Sequence, residues 1–88
     1  MYKIVNKKDL ISIFDEIKEE EIANNLKPIV KEEDALFTYL FENSHYLFLN
    51  NVTIAFNKVQ FEEDNLRFYI GDEAIGAIAI LNIEGISN

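Results

Sequence analysis

The hydrophobic period changes once along this chain, and that change decides which class of fold is open to it. In the first half the apolar residues recur at helical spacing; from Tyr46 onward they alternate, with aromatic and β-branched side chains throughout. The 88 residues contain no internal repeat, no low-complexity tract and no linker rich in Gly, Ser or Pro. Helical residues followed by alternating ones within so short a chain read as a single α+β domain over residues 1–88. Its helices cover one face of an antiparallel sheet.

The helical half is expected to hold two elements. Asp9 suits the N-cap of a helix over about residues 9–21, in which Leu10, Ile13, Phe14 and Ile17 form one stripe and Asp15, Glu16, Lys18 and Glu19 face the other way. Ile22 and Leu26 fall off that stripe and Lys27 precedes Pro28, so the helix is expected to end or kink between Glu20 and Asn25. A second helix is expected over about residues 32–42, where Glu32, Glu33 and Asp34 suit the positive end of a helix dipole and Asn43 and Ser44 close the segment. Ala35, Leu36, Phe37, Tyr39, Leu40 and Phe41 are apolar all round. The alternative for this segment is therefore a strand paired with Tyr46–Leu49 across a turn at 42–45.

Residues 46–81 are expected to form a meander of about four strands. Val52, Ile54 and Phe56 share a face, and Val59 and Phe61 resume on a shifted phase, which requires a bulge or turn at Asn57 and Lys58. Glu63, Asp64 and Asn65 make a hairpin tip before Leu66, Phe68 and Ile70; Gly71 and Asp72 make the next turn, and the last strand runs over about 74–81 before a short tail through Ile83 and Ile86. The expected core is Leu10, Phe14, Ile17, Leu36, Leu40, Val52, Ile54, Phe56, Phe68, Ile70 and Ile78.

Charge narrows the function. The net charge is −8; the first eight residues carry three lysines and no acid, which leaves five basic against 16 acidic groups, or −11, on residues 9–88. Direct binding to nucleic acid needs Lys and Arg in place of phosphate counterions, and docking on anionic lipid needs them too, so both are disfavoured. A basic protein surface is the expected partner. The chain has no cysteine, no apolar run long enough for a secretory signal around Lys3, Ile4 and Val5, and no membrane-spanning stretch, which together suggest a cytoplasmic protein.

No chemistry-bearing motif stands out. His45 is the only histidine, and its neighbour Ser44 does not make a nucleophile and base pair, so a solvated loop histidine is expected. Gly71 and Gly76 have the spacing of a phosphate-binding loop, but Ala77 and Ile78 stand where Lys and Ser or Thr are needed. No calcium loop or spaced metal-ligand set is present, so no catalytic residue, metal or cofactor is assigned.

What remains is the acids. Glu19, Glu20 and Glu21 stand near a helix C-terminus, where negative charge is disfavoured, and Glu62, Glu63 and Asp64 stand on a hairpin. These six are the expected partner-binding residues of a non-catalytic protein, a stoichiometric inhibitor that imitates the charge of nucleic acid. Size and charge place it by analogy beside anti-defence proteins of phages and immunity proteins. The alternative is an assembly module that pairs as a homodimer through the sheet face bearing Arg67 and Tyr69, near Thr53, Ala55 and Gln60.

Overall fold

A computed structural model describes residues 7–33 and 36–87; residues 1–6, Asp34, Ala35 and Asn88 lie outside the described residues, and with them the Asp34 contribution to the expected second helix. Helix α1 (Lys7–Ala23) buries Leu10, Ile13, Phe14 and Ile17, as the spacing of the stripe requires. It begins two residues before Asp9, which lies in the first turn, where its charge suits the helix dipole, and not at the cap. Its end falls where the sequence places it. Asn25 takes a left-handed φ of 65°, the Asn25 amide donates to the Ile22 carbonyl at 3.0 Å, and the Leu26 amide reaches back to the Glu21 carbonyl at 2.9 Å. These two bonds satisfy carbonyls that the helix end would otherwise leave open.

The rest of the described chain is sheet. Strands β1 (Ile29–Glu33), β2 (Leu36–Leu49), β3 (Val52–Glu62), β4 (Asn65–Ile70) and β5 (Glu73–Ala79) form an antiparallel meander in chain order. After a single 3₁₀ turn (Ile80–Asn82), β6 (Gly85–Ser87) returns to pair with β2 at Tyr46, Leu47 and Phe48. The described residues thus make one helix and an antiparallel sheet of five to six strands. None of the described helices is long and apolar enough to cross a membrane.

The expected second helix over 32–42 is overturned. Glu32 and Glu33 belong to β1 and pair with Phe37 and Leu36 of β2. Phe37, Tyr39 and Phe41 repeat at two residues, and on that face the Tyr39 and Phe41 rings meet the Phe14 ring of α1 at 5.4 and 5.8 Å. Burying Tyr39 and Phe41 in one row, with Phe37 packed against the Tyr39 and Phe61 rings at its exposed end, outweighs the dipole advantage of two acids at a helix start. Nor is Tyr46–Leu49 a separate strand. It continues β2 past a bulge: Leu40 faces Lys58 and His45 faces Phe56, so residues 41–44 stand opposite Asn57 alone. The phase shift expected at Asn57 and Lys58 is this irregularity.

Three two-residue turns join β2 to β3, β3 to β4 and β4 to β5, with left-handed backbone at Asn51 (φ 61°), Glu63 (φ 49°) and Gly71 (φ 58°). Asn65, expected at a hairpin tip, is the first residue of β4.

Of the expected core, Leu10, Phe14, Ile17, Phe56 and Phe68 are buried. Leu36, Leu40, Ile54 and Ile78 are half-buried, and Val52 and Ile70 are exposed. The reason is length. A 17-residue helix spans about 26 Å at 1.5 Å per residue, short of the 33 Å longest dimension of the molecule, so the helix does not cover the ends of the sheet. The chain from Ile80 onward supplies part of the missing cover. Ile80, Ile83 and Ile86 are all buried with Leu47, so the expected tail is core, and Tyr39, Phe41, Val59, Phe61 and Leu66 join it.

One core side chain carries a pH dependence. The Tyr39 hydroxyl donates to Asp15 Oδ1 at 2.8 Å, and burial first, then that hydrogen bond and the charge of Asp15, push its pKa far above 10.0. The folded state therefore holds this proton more tightly than the unfolded chain does. The associated stability is complete below pH 10, the unfolded value, and is lost as pH rises beyond it. Tyr39→Phe is expected to lower stability at neutral pH by about 1 kcal/mol and to flatten the alkaline decline. Chemical melts at neutral pH and above pH 10 check this, and equal alkaline slopes for the two proteins would refute it.

Candidate functional site

The apolar stripe of α1 is completed by a charged residue. Glu21 follows Ile17 by four positions, so it projects from the same face as Leu10, Phe14 and Ile17, and it is only 3% exposed. Opposite it lies the bulge of β2. There β1 has already ended at the Leu40 pair and β6 has not begun before Tyr46, so the backbone between them has no neighbouring strand on that edge among the described residues. Glu21 provides the acceptors that a strand would have supplied. Its Oε1 takes the Glu42 amide at 2.9 Å, and its Oε2 takes the Asn43 amide at 3.0 Å and lies 3.0 Å from His45 Nε2.

His45 is therefore not the solvated loop histidine the sequence suggests. It is 4% exposed, in phase with Leu47 on the inward face of β2, with the Phe41 ring edge-on at 5.1 Å and the Phe56 ring at 6.2 Å. A buried carboxylate costs several kcal/mol of lost hydration, and the hydrogen bonds to two amides and an imidazole offset that cost. Beside the pair a cleft of about 250 Å³ opens to the surface, lined by Ile17, Glu20, Glu21, Asn24, Asn43, Ser44 and His45.

No protein-family model, curated protein or solved structure matches this chain. The chemistry of the cleft has to be judged from its own residues. The Glu21 carboxylate spends its acceptors on fixing the bulge, an arrangement that holds position. Among the described residues no group of three or more His, Asp and Glu side chains is placed to hold a metal ion. What the cleft offers a visitor is the carboxylate of exposed Glu20 at its rim, and the Asn24 and Asn43 amides and Ser44 hydroxyl, which both donate and accept.

The sequence-derived site residues separate into groups. Glu19 and Glu20 are exposed on the last turns of α1, beside exposed Glu16 and with no basic residue in the final turn. Glu21 is withdrawn from that surface by the bonds described above, which corrects its expected place in a surface cluster. Glu62, Glu63 and Asp64 stand at the β3–β4 turn, towards the other end of the helix: the Lys7 ammonium of the first turn lies over the adjoining Phe61 ring, 5.4 Å from its centroid. Glu19 and Glu20 are then about 18 to 20 Å further along the helix axis. Glu63 occupies a left-handed conformation that asparagine or glycine would adopt with less strain.

On the outer face of the sheet, Arg67 and Tyr69 are held by their own neighbours. Arg67 Nε donates to the Glu62 carboxylate, which raises the pKa of the guanidinium further. The Tyr69 hydroxyl donates to Gln60 Oε1 at 2.8 Å, the Gln60 amide donates to Thr38 Oγ1 at 3.2 Å, and the Lys58 ammonium lies 4.8 Å from the Tyr69 ring centroid. Gln60 is a neighbour of this pair, as expected. Thr53 and Ala55 are not, because they pair with Phe48 and Tyr46 of β2 beyond the bulge.

Signals for the missed residues are present in the sequence. Glu21 occupies the next stripe position after Ile17, and His45 alternates with Leu47 and Leu49. What hides them is the assumption that a charged residue cannot continue an apolar face.

Proposed function

We propose that this protein works without turnover, as an acidic cytoplasmic protein that occupies a basic surface of another protein in place of nucleic acid. The reading rests on one observation. Exposed Glu16, Glu19 and Glu20 crowd the last turns of α1, against the helix dipole, with Glu20 at the rim of a polar cleft. Helical neighbours at i,i+3 and i,i+4 stand about 5 to 6 Å apart, close to the spacing of phosphates along one strand. A lysine or arginine of the partner would meet Glu20 at the rim and the Asn24, Asn43 and Ser44 side chains inside. Inhibition of a nucleic-acid-binding enzyme, of the anti-defence or immunity type, is the activity this surface suits. Glu62, Glu63 and Asp64 form a separate contact at the far end of the helix.

Changing Glu16, Glu19 and Glu20 together to Gln is expected to leave thermal stability equal or slightly raised, because like charges are removed from a negative helix end. Capture of the partner from the source organism should weaken, and duplex DNA should compete with the wild type for it. Raising salt from about 50 to about 500 mM shortens the Debye length from roughly 14 to roughly 4 Å and should release the complex. Binding indifferent to both the triple change and the salt would sink the proposal.

A further inference from the structure

The two outer strands of the meander are built differently. β1 carries Lys31 and Glu32 and follows Pro28, the residue types that keep an edge from pairing with another chain. β5 is guarded only at its start, by Glu73 and a bulge at Ile75. From Ala74 to Ile83 the sequence holds no charged residue, and β5 pairs with β4 on one edge and with no other strand among the described residues. Glu73 to Ala77 are all exposed; Ile75 is 44% exposed, and Leu81, just past the strand, is 85% exposed, the most of any large apolar side chain among the described residues. Ile75 is the extra residue of a bulge, since Phe68 faces Gly76 and Tyr69 faces Ala74, so the regular edge is Gly76–Ala79.

We infer that this edge pairs with the same edge of a second copy, antiparallel, to make one sheet continuous through a twofold homodimer. The unpaired amides and carbonyls of an edge call for a strand, and three further features select this one as the occupant. First, two chains of net charge −8 can approach closely only where neither carries acid, and the run 74–83 is such a place. Second, antiparallel pairing sends the two Glu73 side chains to opposite ends of the contact. Third, the same pairing carries the exposed Leu81 of each copy towards the exposed Ile75 end of the other, so the patch complements itself. Four regular residues span only about 13 Å, which puts the association in the weak, small-interface class.

Sedimentation velocity on the full chain, from low to high micromolar concentration, reads the result. The wild type is expected to shift from monomer to dimer, and amides of Gly76–Ala79 should gain hydrogen-exchange protection as concentration rises. Ile75→Lys combined with Leu81→Lys alters two exposed side chains, so the fold should survive, and the dimer dissociation constant should rise by at least about tenfold. Ile29→Lys, on the opposite outer strand, should change nothing. Added salt should tighten the dimer by screening like charges, the opposite sign from its effect on a basic partner, so the two proposals fail separately. A protein monomeric at high micromolar concentration, or a dimer that the Ile75 and Leu81 changes leave intact, overturns the inference.

Discussion

Phe14→Ala is expected to remove most of the stability of the protein. At 0.05 to 0.15 kcal/mol per residue, a chain of this length is stable by roughly 4 to 13 kcal/mol, and truncating a buried phenylalanine costs about 3 to 5. Phe14 belongs at the upper end of that range. It is fully buried, and its ring centroid lies 5.4 Å from Tyr39, 5.8 Å from Phe41, 6.1 Å from Phe56 and 5.8 Å from Phe61. One helical side chain thus joins strands β2 and β3 on both sides of the bulge, so its loss would open a cavity among close-packed rings. Urea melts of Phe14→Ala and Phe68→Ala check the ranking: both should be severe, with Phe14 the worse. A Phe14→Ala midpoint as mild as that of Val52→Ala, whose side chain is 50% exposed, would contradict the packing described.

The second large effect is expected at a charged residue. Glu21→Ala should cost about 3 to 5 kcal/mol, because the Glu42 and Asn43 amides and the buried His45 Nε2 would all lose the carboxylate that they share. Glu21→Gln should fall between wild type and Ala, since its single carbonyl oxygen replaces part of what the carboxylate accepts. The neighbours make the control. Glu19→Gln and Glu20→Gln remove the same charge one or two residues away and should not destabilise. If Glu21→Ala melted like Glu20→Ala, the buried bridge between helix and bulge would be disproved. A double-mutant cycle with His45→Ala isolates the share carried by the imidazole.

The contrast between these three glutamates explains what could be read from the sequence. The first helix was legible because Leu10, Ile13, Phe14 and Ile17 define a stripe that only a helix produces, and the Gly71–Asp72 turn because few residues accept its backbone. The segment from 36 to 41 was ambiguous for a physical reason. Leu36 and Leu40 are four apart while Phe37, Tyr39 and Phe41 are two apart, so both periods are present, and contact with Phe14 and Phe61 on distant parts of the chain decides between them. The cleft was illegible for the same reason. Nothing local to Glu21 or His45 announces that a gap between β1 and β6 will place unpaired amides beside the helix end. Val52 and Ile70 alternate correctly with buried neighbours and yet stay exposed, because alternation reports a face and not how far along the sheet the helix reaches.

The return of β6 to β2 has a kinetic meaning. The other strand pairings are hairpins between neighbours in sequence, whereas Tyr46 and Ser87 meet across some forty residues of intervening chain. Closing so long a loop has an entropic cost that a short turn does not, and three residues of strand give little in return until Ile80, Ile83 and Ile86 are also seated. This closure is therefore expected late, after the folding barrier. Changes such as Ile86→Val should then act mainly by speeding unfolding, with little effect on the folding rate. Until it happens, Leu47 lacks its cover and the sheet edge beside it stays open. The lifetime of that half-closed species, more than the depth of the native minimum, sets how exposed the chain is to misassociation while it folds.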